Sequence, residues 1–164
     1  MTRALITGSF DPPTLGHYDL VARAAKEYDR VTVGMFINPE KKYLFTHEER
    51  LALLKAAYRD FDNVEVVASF GYVCDMAREG GYTAILRGVR NESDAAYERQ
   101  MAEYNLAHSG VPTVLLPTDP ALSHLSSSLV REKLKKGEDV SSCIPTQALP
   151  LLLSLWEKKQ QGQW

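Results

Sequence analysis

The sequence has few cysteines, no long apolar run and no large excess of charge, and each shortage excludes a class of protein. Its two cysteines, Cys74 and Cys143, form neither a disulfide framework nor a metal-ligand pattern, so we interpret both as small buried residues in a reducing compartment. The longest apolar run, LPLLLSLW, is too short to span a bilayer, and the first residues lack the layout of a signal peptide. A net charge of −2 argues against a broad nucleic-acid-binding surface. We therefore expect a soluble cytoplasmic protein that binds neither nucleic acid nor membrane.

What the 164 residues do contain is a regular alternation of two kinds of segment. Short, near-continuously apolar runs predict buried β-strands at residues 3–7, 30–37, 63–67, 82–86 and 112–117. Amphipathic segments predict helices at residues 16–28, 45–61, 71–80, 91–108, 126–137 and 145–159. Pro150 indicates a late start or a kink in the last helix, and residues 160–164 are expected to fray. The alternation predicts an α/β fold, a single Rossmann-like domain over residues 1–164 in which helices cover both faces of a doubly wound, parallel, five-stranded sheet.

Unusual residues follow four of the five predicted strands. The stretch GSFDPPTLGH (8–17) follows the first strand, and NPEKK (38–42) follows the second. RGVR (87–90) follows the fourth strand, and TDPALSHLSSS (118–128) follows the fifth. Ligands of such sheets bind beyond the carboxyl ends of the strands. We therefore expect the four stretches to meet at one edge of the sheet and to form one site.

The first stretch has the residues of an anion site at a helix N-terminus. Gly8 is expected to let the chain turn sharply, and Gly16 leaves the backbone of the following helix open to a ligand. His17 falls in the first turn of that helix, where free N–H groups bind anions and a ring N–H donates to a phosphoryl oxygen. The alternative is a rigid turn with a structural histidine.

The next two stretches add positive charge. One of Lys41 and Lys42 is expected to extend inward to an acidic group, while the other is a solvated loop lysine. Arg87 and Arg90 present guanidinium forks that suit phosphate oxygens. The alternative for the arginines is a structural ion pair with Asp94 or Glu98.

Three consecutive hydroxyls, Ser126 to Ser128, stand where the fifth predicted helix begins. One serine caps a helix, and three exceed that need, so they form either a second phosphate cradle or a capped helix with polar neighbours. The sequence has no nucleophile–base dyad and no zinc constellation. The set of groups favours direct phosphoryl or nucleotidyl transfer, in which positioning and charge stabilisation supply most of the catalysis.

At this point the motifs resemble a known family. GSFDPPTLGH resembles the (T/S)FDPxTxGH signature of the nucleotidylyltransferases, and LSSSLVR resembles their second signature, ISSSxVR. KKYLFT, LRGVR and YERQMAEYN make the chain similar to the bacterial phosphopantetheine adenylyltransferase family from about Ala4 to the last helix. The resemblance implies transfer of the adenylyl group of ATP to 4′-phosphopantetheine, giving dephospho-coenzyme A and pyrophosphate, the penultimate step of coenzyme A synthesis. It also implies direct in-line attack without a covalent enzyme intermediate.

The resemblance further implies partners and a role for each matching residue. Mg²⁺ would bridge phosphate oxygens with few protein ligands, coenzyme A would act as a feedback ligand, and the chain would form a homohexamer. The implied catalytic residues are His17, Lys41 and Arg90. The implied ATP-binding residues are Ser9, Phe10, His17, Gly88, Val89, Arg90, Glu98, Leu122, Ser123, His124, Leu125, Ser126, Ser127 and Ser128. The implied residues for phosphopantetheine are Ser9, Lys41, Val73, Arg87, Met101, Tyr104 and Asn105.

Some positions depart from the commonest family pattern. Ser9 replaces a threonine, Leu125 replaces an isoleucine, and residues 121–124 lack the aromatic side chains often found beside the adenine. His124 either stacks on the base or faces solvent. Three rival functions remain at this point: a sister transferase with another acceptor, a nucleotide sensor that has lost catalysis, and a flavodoxin-like binding module.

Overall fold

The computed structural model describes residues 1–162, and its elements follow the alternation of the sequence. The strands are β1 (Arg3–Gly8), β2 (Arg30–Phe36), β3 (Val64–Ser69), β4 (Ala84–Val89) and β5 (Thr113–Pro117). The α-helices are α1 (Leu15–Glu27), α2 (His47–Ala57), α3 (Val73–Glu79), α4 (Glu92–Ser109), α5 (Ser127–Lys135) and α6 (Leu149–Gly162), and a short 3-10 helix covers Pro120–Leu122.

The strands form one parallel sheet in the order β3-β2-β1-β4-β5. β1 lies at its centre, where Ala4 pairs with Val31 of β2 on one side and with Ala84 of β4 on the other. The strand order reverses between β1 and β4, because the chain builds outward from β1 in both directions. A ligand crevice opens at this kind of switch point, outside the carboxyl ends of the two strands.

Successive residues of the central strand bury themselves on opposite faces of the sheet. Ala4 and Ile6 belong to the larger core cluster, which also takes in buried residues of α1, α2, α5 and α6. Leu5 belongs to a smaller cluster on the other face, together with Ala77 of α3 and Ile85 of β4. The period of two along the strand therefore supports helices on both faces, as predicted.

The boundaries of β4 differ from the prediction in a way that affects the site. The strand covers Ala84–Val89 instead of residues 82–86, because its backbone pairing with β5 continues from Arg87, opposite Leu115, to Val89, opposite Pro117. Arg87 and Gly88 therefore lie within the last part of the strand, and only Arg90 follows it.

For the last helix, the prediction is confirmed at its start and wrong at its end. α6 begins at Leu149, with Pro150 in its first turn, so the predicted late start is confirmed. Residues 160–162 continue the helix instead of fraying, and residues 163–164 lie outside the described part. Along residues 1–162, no helix has both the length and the apolar character needed to cross a membrane. Cys74 and Cys143 are buried, as the sequence predicts.

Candidate active site

The four unusual stretches meet at a cavity of about 390 Å³ at the carboxyl ends of β1 and β4, as predicted. The loop after β1, Lys41, the end of β4 and the start of α5 all contribute to its walls. The residues expected at the site that line it are Ser9, Phe10, His17, Lys41, Arg87, Gly88, Arg90, Glu98, Leu122, Leu125, Ser126, Ser127 and Ser128.

A second cavity of about 230 Å³ adjoins the first. Val73, Met101 and Asn105, three of the residues expected to bind the pantetheine arm, line it. Tyr104, the fourth, lies outside both linings: its ring is exposed and stacks on His108, with the ring centroids 4.0 Å apart. The two cavities share five residues, Thr7, Gly8, Ser9, Arg87 and Glu98.

The chain turns after β1 at Phe10, not at Gly8 as predicted. Phe10 has a φ of 51°, in the left-handed region that non-glycine residues seldom adopt, whereas Gly8 ends the strand. Gly8 instead leaves room for the ring of Phe10, which would lie 3.2 Å from a Cβ at this position. The ring, 2 % exposed, also meets His17 edge to face at 4.9 Å. The turn thus places a buried aromatic ring beneath the histidine.

His17 is held by the start of α1. Thr14 is the N-cap of this helix, and the Nδ1 atom of His17 accepts a hydrogen bond of 2.9 Å from the backbone N–H of Thr14. In a neutral ring the other nitrogen then carries the hydrogen, so Nε2–H is the donor left for a ligand. The same contact caps the helix and selects the tautomer.

The surroundings of His17 keep its ring neutral. Burial lowers the pKa of His17 from 6.5 to about 4, and the positive charges of Arg87 and Arg90 act in the same direction. At pH 7 the ring is therefore uncharged and donates a hydrogen bond through Nε2 without adding charge.

Arg87 forms the wall between the two cavities. Its Nε and Nη2 atoms each donate to the carboxylate of Glu98 at 2.9 Å, and its Nη1 atom donates to the carbonyl oxygen of Thr7 at 2.6 Å. Glu98 is 8 % exposed, which makes this bidentate pair partly desolvated. The structural pairing considered for the arginines is thus present at Arg87.

Arg90 is paired in the same way, to the neighbouring turn of α4. Its Nε atom donates to the Asp94 carboxylate at 2.9 Å, and its backbone N–H donates to the same oxygen at 3.2 Å. These contacts hold the pKa of Asp94 below its ordinary value, chiefly through the Arg90 side chain. Nη1 of Arg90 donates to the carbonyl oxygen of Leu125 at 3.4 Å, which ties β4 to the loop before α5.

The three serines have three different roles. Ser126 is the N-cap of α5 and accepts from the backbone N–H of Leu129 at 3.1 Å. Ser127 donates to the carbonyl oxygen of Pro12 at 2.7 Å, while the hydroxyl of Ser128 accepts from Arg131 at 3.0 Å. One hydroxyl therefore caps the helix, as predicted, and another ties its start to the loop after β1.

Both lysines of the pair are exposed, and they differ in whether they border a cavity. Lys41 lines the larger cavity, with its Nζ atom 5.4 Å from the centre of the Tyr43 ring. Lys42 is exposed and lines neither cavity. Val89, Ser123 and His124 also lie outside both linings, and His124 is exposed.

Two arginines of the larger cavity were missed by the sequence analysis. Arg23 follows Gly16 and Leu20 at helical spacing and donates to the carbonyl oxygen of Pro117 at 3.1 Å. Arg131 closes the LSSSLVR motif and donates to the carbonyl oxygen of Asp11 at 2.8 Å. Five lysine and arginine side chains and three carboxylates line the cavity, so it carries an excess of positive charge suited to a polyphosphate.

Comparisons with known proteins agree with this geometry. The model of the cytidylyltransferase-like family matches residues 5–133. A phosphopantetheine adenylyltransferase from Streptomyces coelicolor is 44 % identical over 152 residues, which cover 93 % of this chain and 96 % of that protein. A solved structure from Vibrio parahaemolyticus, assigned as a nicotinate-nucleotide adenylyltransferase, superposes with a TM-score of 0.70. The two sequences are 17 % identical, and the superposition covers 95 % of this chain and 94 % of the other. A likeness at this identity supports the fold and no shared function.

Proposed function

The chain belongs to the cytidylyltransferase-like family and, within it, to the phosphopantetheine adenylyltransferases, and from this membership we propose that it joins ATP to 4′-phosphopantetheine. The products are dephospho-coenzyme A and pyrophosphate. The observation that carries the proposal is the junction of the two cavities at Arg87 and Glu98. The larger, cationic cavity suits a nucleoside triphosphate, and the smaller one, lined by Val73 and Met101, suits an extended arm.

In this mechanism the 4′-phosphate attacks the α-phosphorus of ATP directly, in line, and pyrophosphate leaves. The acceptor brings its own nucleophile, so the enzyme needs no covalent intermediate. Its contribution is to hold the two phosphates together and to stabilise the charge of the transition state. The arm occupies the smaller cavity, which places its phosphate at the shared wall beside Arg87.

His17, Lys41 and Arg90 are the catalytic residues of this proposal. A neutral His17 donates through Nε2 to the oxygens on which charge develops, and its position is held by the Thr14 contact. Lys41 and Arg90 both line the larger cavity and offset the repulsion between the two phosphates. Ser9, Phe10 and the start of α5 form the rest of the ATP site in this proposal.

Mg²⁺ fits this site as an ion carried by the substrate phosphates. No group of three potential ligands lies together in the described residues. The carboxylates of Asp94 and Glu98 face arginines, and Asp11 accepts two backbone N–H groups. The protein thus offers no ready cage, and a magnesium ion bound to phosphate oxygens would add charge neutralisation there.

The proposal extends to the setting of the enzyme. We place it in the cytoplasm as a homohexamer, with dephospho-coenzyme A and coenzyme A as ligands of the same site. Sedimentation velocity tests the assembly, and competition of coenzyme A with ATP tests the shared site.

The test is pyrophosphate release with ATP, Mg²⁺ and 4′-phosphopantetheine, with nicotinate mononucleotide and glycerol 3-phosphate as parallel acceptors. Turnover with phosphopantetheine alone is the expected result. Turnover with another acceptor contradicts the assignment of the smaller cavity. If the protein binds ATP but turns over none of the acceptors, it is a nucleotide sensor.

A further inference from the structure

A buried arginine outside the cavity lining joins two loops of the site. Arg50 lies in the first turn of α2 and is only 1 % exposed. Its Nη1 atom donates to the carbonyl oxygen of Ser9 at 2.8 Å, and its Nε atom donates to the carbonyl oxygen of Phe45 at 3.2 Å. One guanidinium thus links the loop after β1 to the segment that precedes α2.

The same guanidinium holds the loop that carries Lys41. Its central carbon lies 3.7 Å from the centre of the Tyr43 ring, and the Nζ atom of Lys41 lies 5.4 Å from that ring centre. The Tyr43 hydroxyl accepts from the backbone N–H of Asn38 at 3.0 Å. The ring therefore connects Arg50 to both ends of the lysine loop, residues 38–43.

A second buried side chain makes the reciprocal connection. Asp11, 4 % exposed, lies in the loop after β1, and its two carboxylate oxygens accept from the backbone N–H groups of Leu44 and Phe45 at 2.8 and 2.9 Å. The loop after β1 and residues 44–45 are thus bound to each other in both directions, through a cation on α2 and an anion on the loop.

We propose that Arg50 is a positioning residue that sets the separation between Lys41 and the Ser9–His17 segment, and so between the groups that meet the two reacting phosphates. The inference rests on the proposed adenylyl transfer. Burial of a guanidinium is unfavourable, and a well-packed apolar side chain is often as stabilising. An apolar side chain lacks the planar fork that donates to two carbonyl oxygens while stacking on an aromatic ring.

Loss of the Arg50 contacts should affect the two substrates differently, because they occupy different parts of the two cavities. Lys41 and Ser9 stand beside the acceptor phosphate, so a loosened lysine loop lowers kcat and raises KM for phosphopantetheine. Leu122 and Thr118 line another part of the cavity and share none of the Arg50 contacts described above. Ser9, which accepts from Arg50, also belongs to the proposed ATP site, so ATP affinity falls as well, but less than the affinity for phosphopantetheine.

The test uses Arg50→Lys, which keeps the charge and approximate length but loses the fork. Arg59→Lys, at an exposed arginine just past the same helix, is the matched control for the exchange itself. Leu53→Ala is the control for lost stability, because it opens a cavity in the core side of α2 without altering the Arg50 contacts. All variants are assayed well below their unfolding temperatures, with active sites counted by ATP binding.

We expect Arg50→Lys to lower kcat at least tenfold and raise KM for phosphopantetheine, with the Kd for ATP within threefold of the unaltered enzyme. Amide hydrogen exchange at Leu44 and Phe45 should accelerate at least tenfold, and neither control should show these changes. Unchanged kcat in folded Arg50→Lys, or equal losses in Leu53→Ala, overturns the positioning role. If the unaltered enzyme itself shows no turnover, the proposed function fails, and unchanged amide exchange in Arg50→Lys then still overturns the positioning role.

Discussion

Replacement of His17 by glutamine should remove a large part of the acid sensitivity of the folded protein. Burial and the nearby charges of Arg87 and Arg90 lower the pKa of His17 to about 4, whereas the unfolded chain retains a value near 6.5. Between these values the unfolded chain binds a proton that the folded protein does not. Protons therefore favour unfolding, and stability falls as the pH drops from above 6.5 towards 4.

The magnitude follows from the two pKa values. The difference of about 2.5 corresponds to about 3.4 kcal/mol in full, because a tenfold change in proton affinity is worth about 1.4 kcal/mol. From pH 7 to pH 5 the free energy of unfolding falls by about 2 kcal/mol. Over this range the unfolded chain takes up a proton at His17, whereas His17 of the folded protein stays almost unprotonated. For a protein of this size that loss lowers Tm by about 4–8 °C.

Glutamine suits this test because it does not titrate and retains the acceptor of the helix cap. A capping box needs a side-chain acceptor at the third helical position, which is now the Nδ1 atom of His17 and would become the amide oxygen of glutamine. The measurement is Tm by calorimetry at pH 7, 6 and 5 for both proteins at constant ionic strength. Their Tm values should converge or cross as the pH falls, because only the protein with His17 loses the linked stability.

Parallel Tm curves for the two proteins would refute the argument. They would mean that His17 titrates at its ordinary pKa in the folded state, and hence that it is partly protonated near neutral pH. The neutral Nε2–H donor assigned to it would then be wrong as well. The other three histidines, His47, His108 and His124, are exposed and present in both proteins, so their titration cancels in the comparison.

Three further changes test other parts of the site and fold. His17→Ala should lower kcat about 10²–10³-fold with little change in ATP affinity, because a donor aimed at transition-state charge is worth about 2.7–4 kcal/mol, and single-turnover kinetics would measure it. Arg87→Lys loses the bidentate contact with Glu98 and should raise KM for phosphopantetheine at least tenfold, whereas an unchanged KM would place the acceptor phosphate elsewhere. Thr46→Ala removes the N-cap of α2 and should destabilise the fold by about 1 kcal/mol in urea titration, with catalysis at 25 °C unchanged.

The fold could be predicted because its signal is local. Each strand is an apolar run and each helix has an apolar face, and the capping box at the start of α2 is formed by two residues only three positions apart, Thr46 and Glu49. The end of β4 could not be placed in this way. Gly88 and Val89 are strand residues only because β5 offers partners for their backbone groups, and β5 lies more than twenty residues further along.

The sequence predicted most of the residues that form the candidate site, but few of the contacts between them. The carboxyl-end rule brought His17, Lys41 and Arg90 together, since it depends only on where strands end. The choice of Glu98 as the partner of Arg87, and of Asp94 as that of Arg90, depends on how α4 packs beside β4. The pKa of His17 depends on charges some seventy residues away.

The turn at Phe10 and the role of Arg23 are two further features that could not be predicted from the sequence. Sequence reasoning assigned the sharp turn to Gly8, because glycine is the usual residue with positive φ, yet tertiary packing holds Phe10 there with its ring buried. Arg23 has helical spacing from Gly16, but only the assembled sheet shows which face of α1 borders the cavity.

The central place of β1 has a consequence for how the chain is made. Ala4 pairs with Ala84, so a ribosome must add about eighty residues before one edge of β1 meets its partner. At a synthesis rate of about 5–20 residues per second this takes roughly 4–16 s. During that time the nascent chain carries an apolar strand with unpaired backbone groups on one side, the kind of edge that joins other chains. The cavity closes later still, once Ser127 has reached Pro12, so newly made protein acquires its binding site among the last of its features.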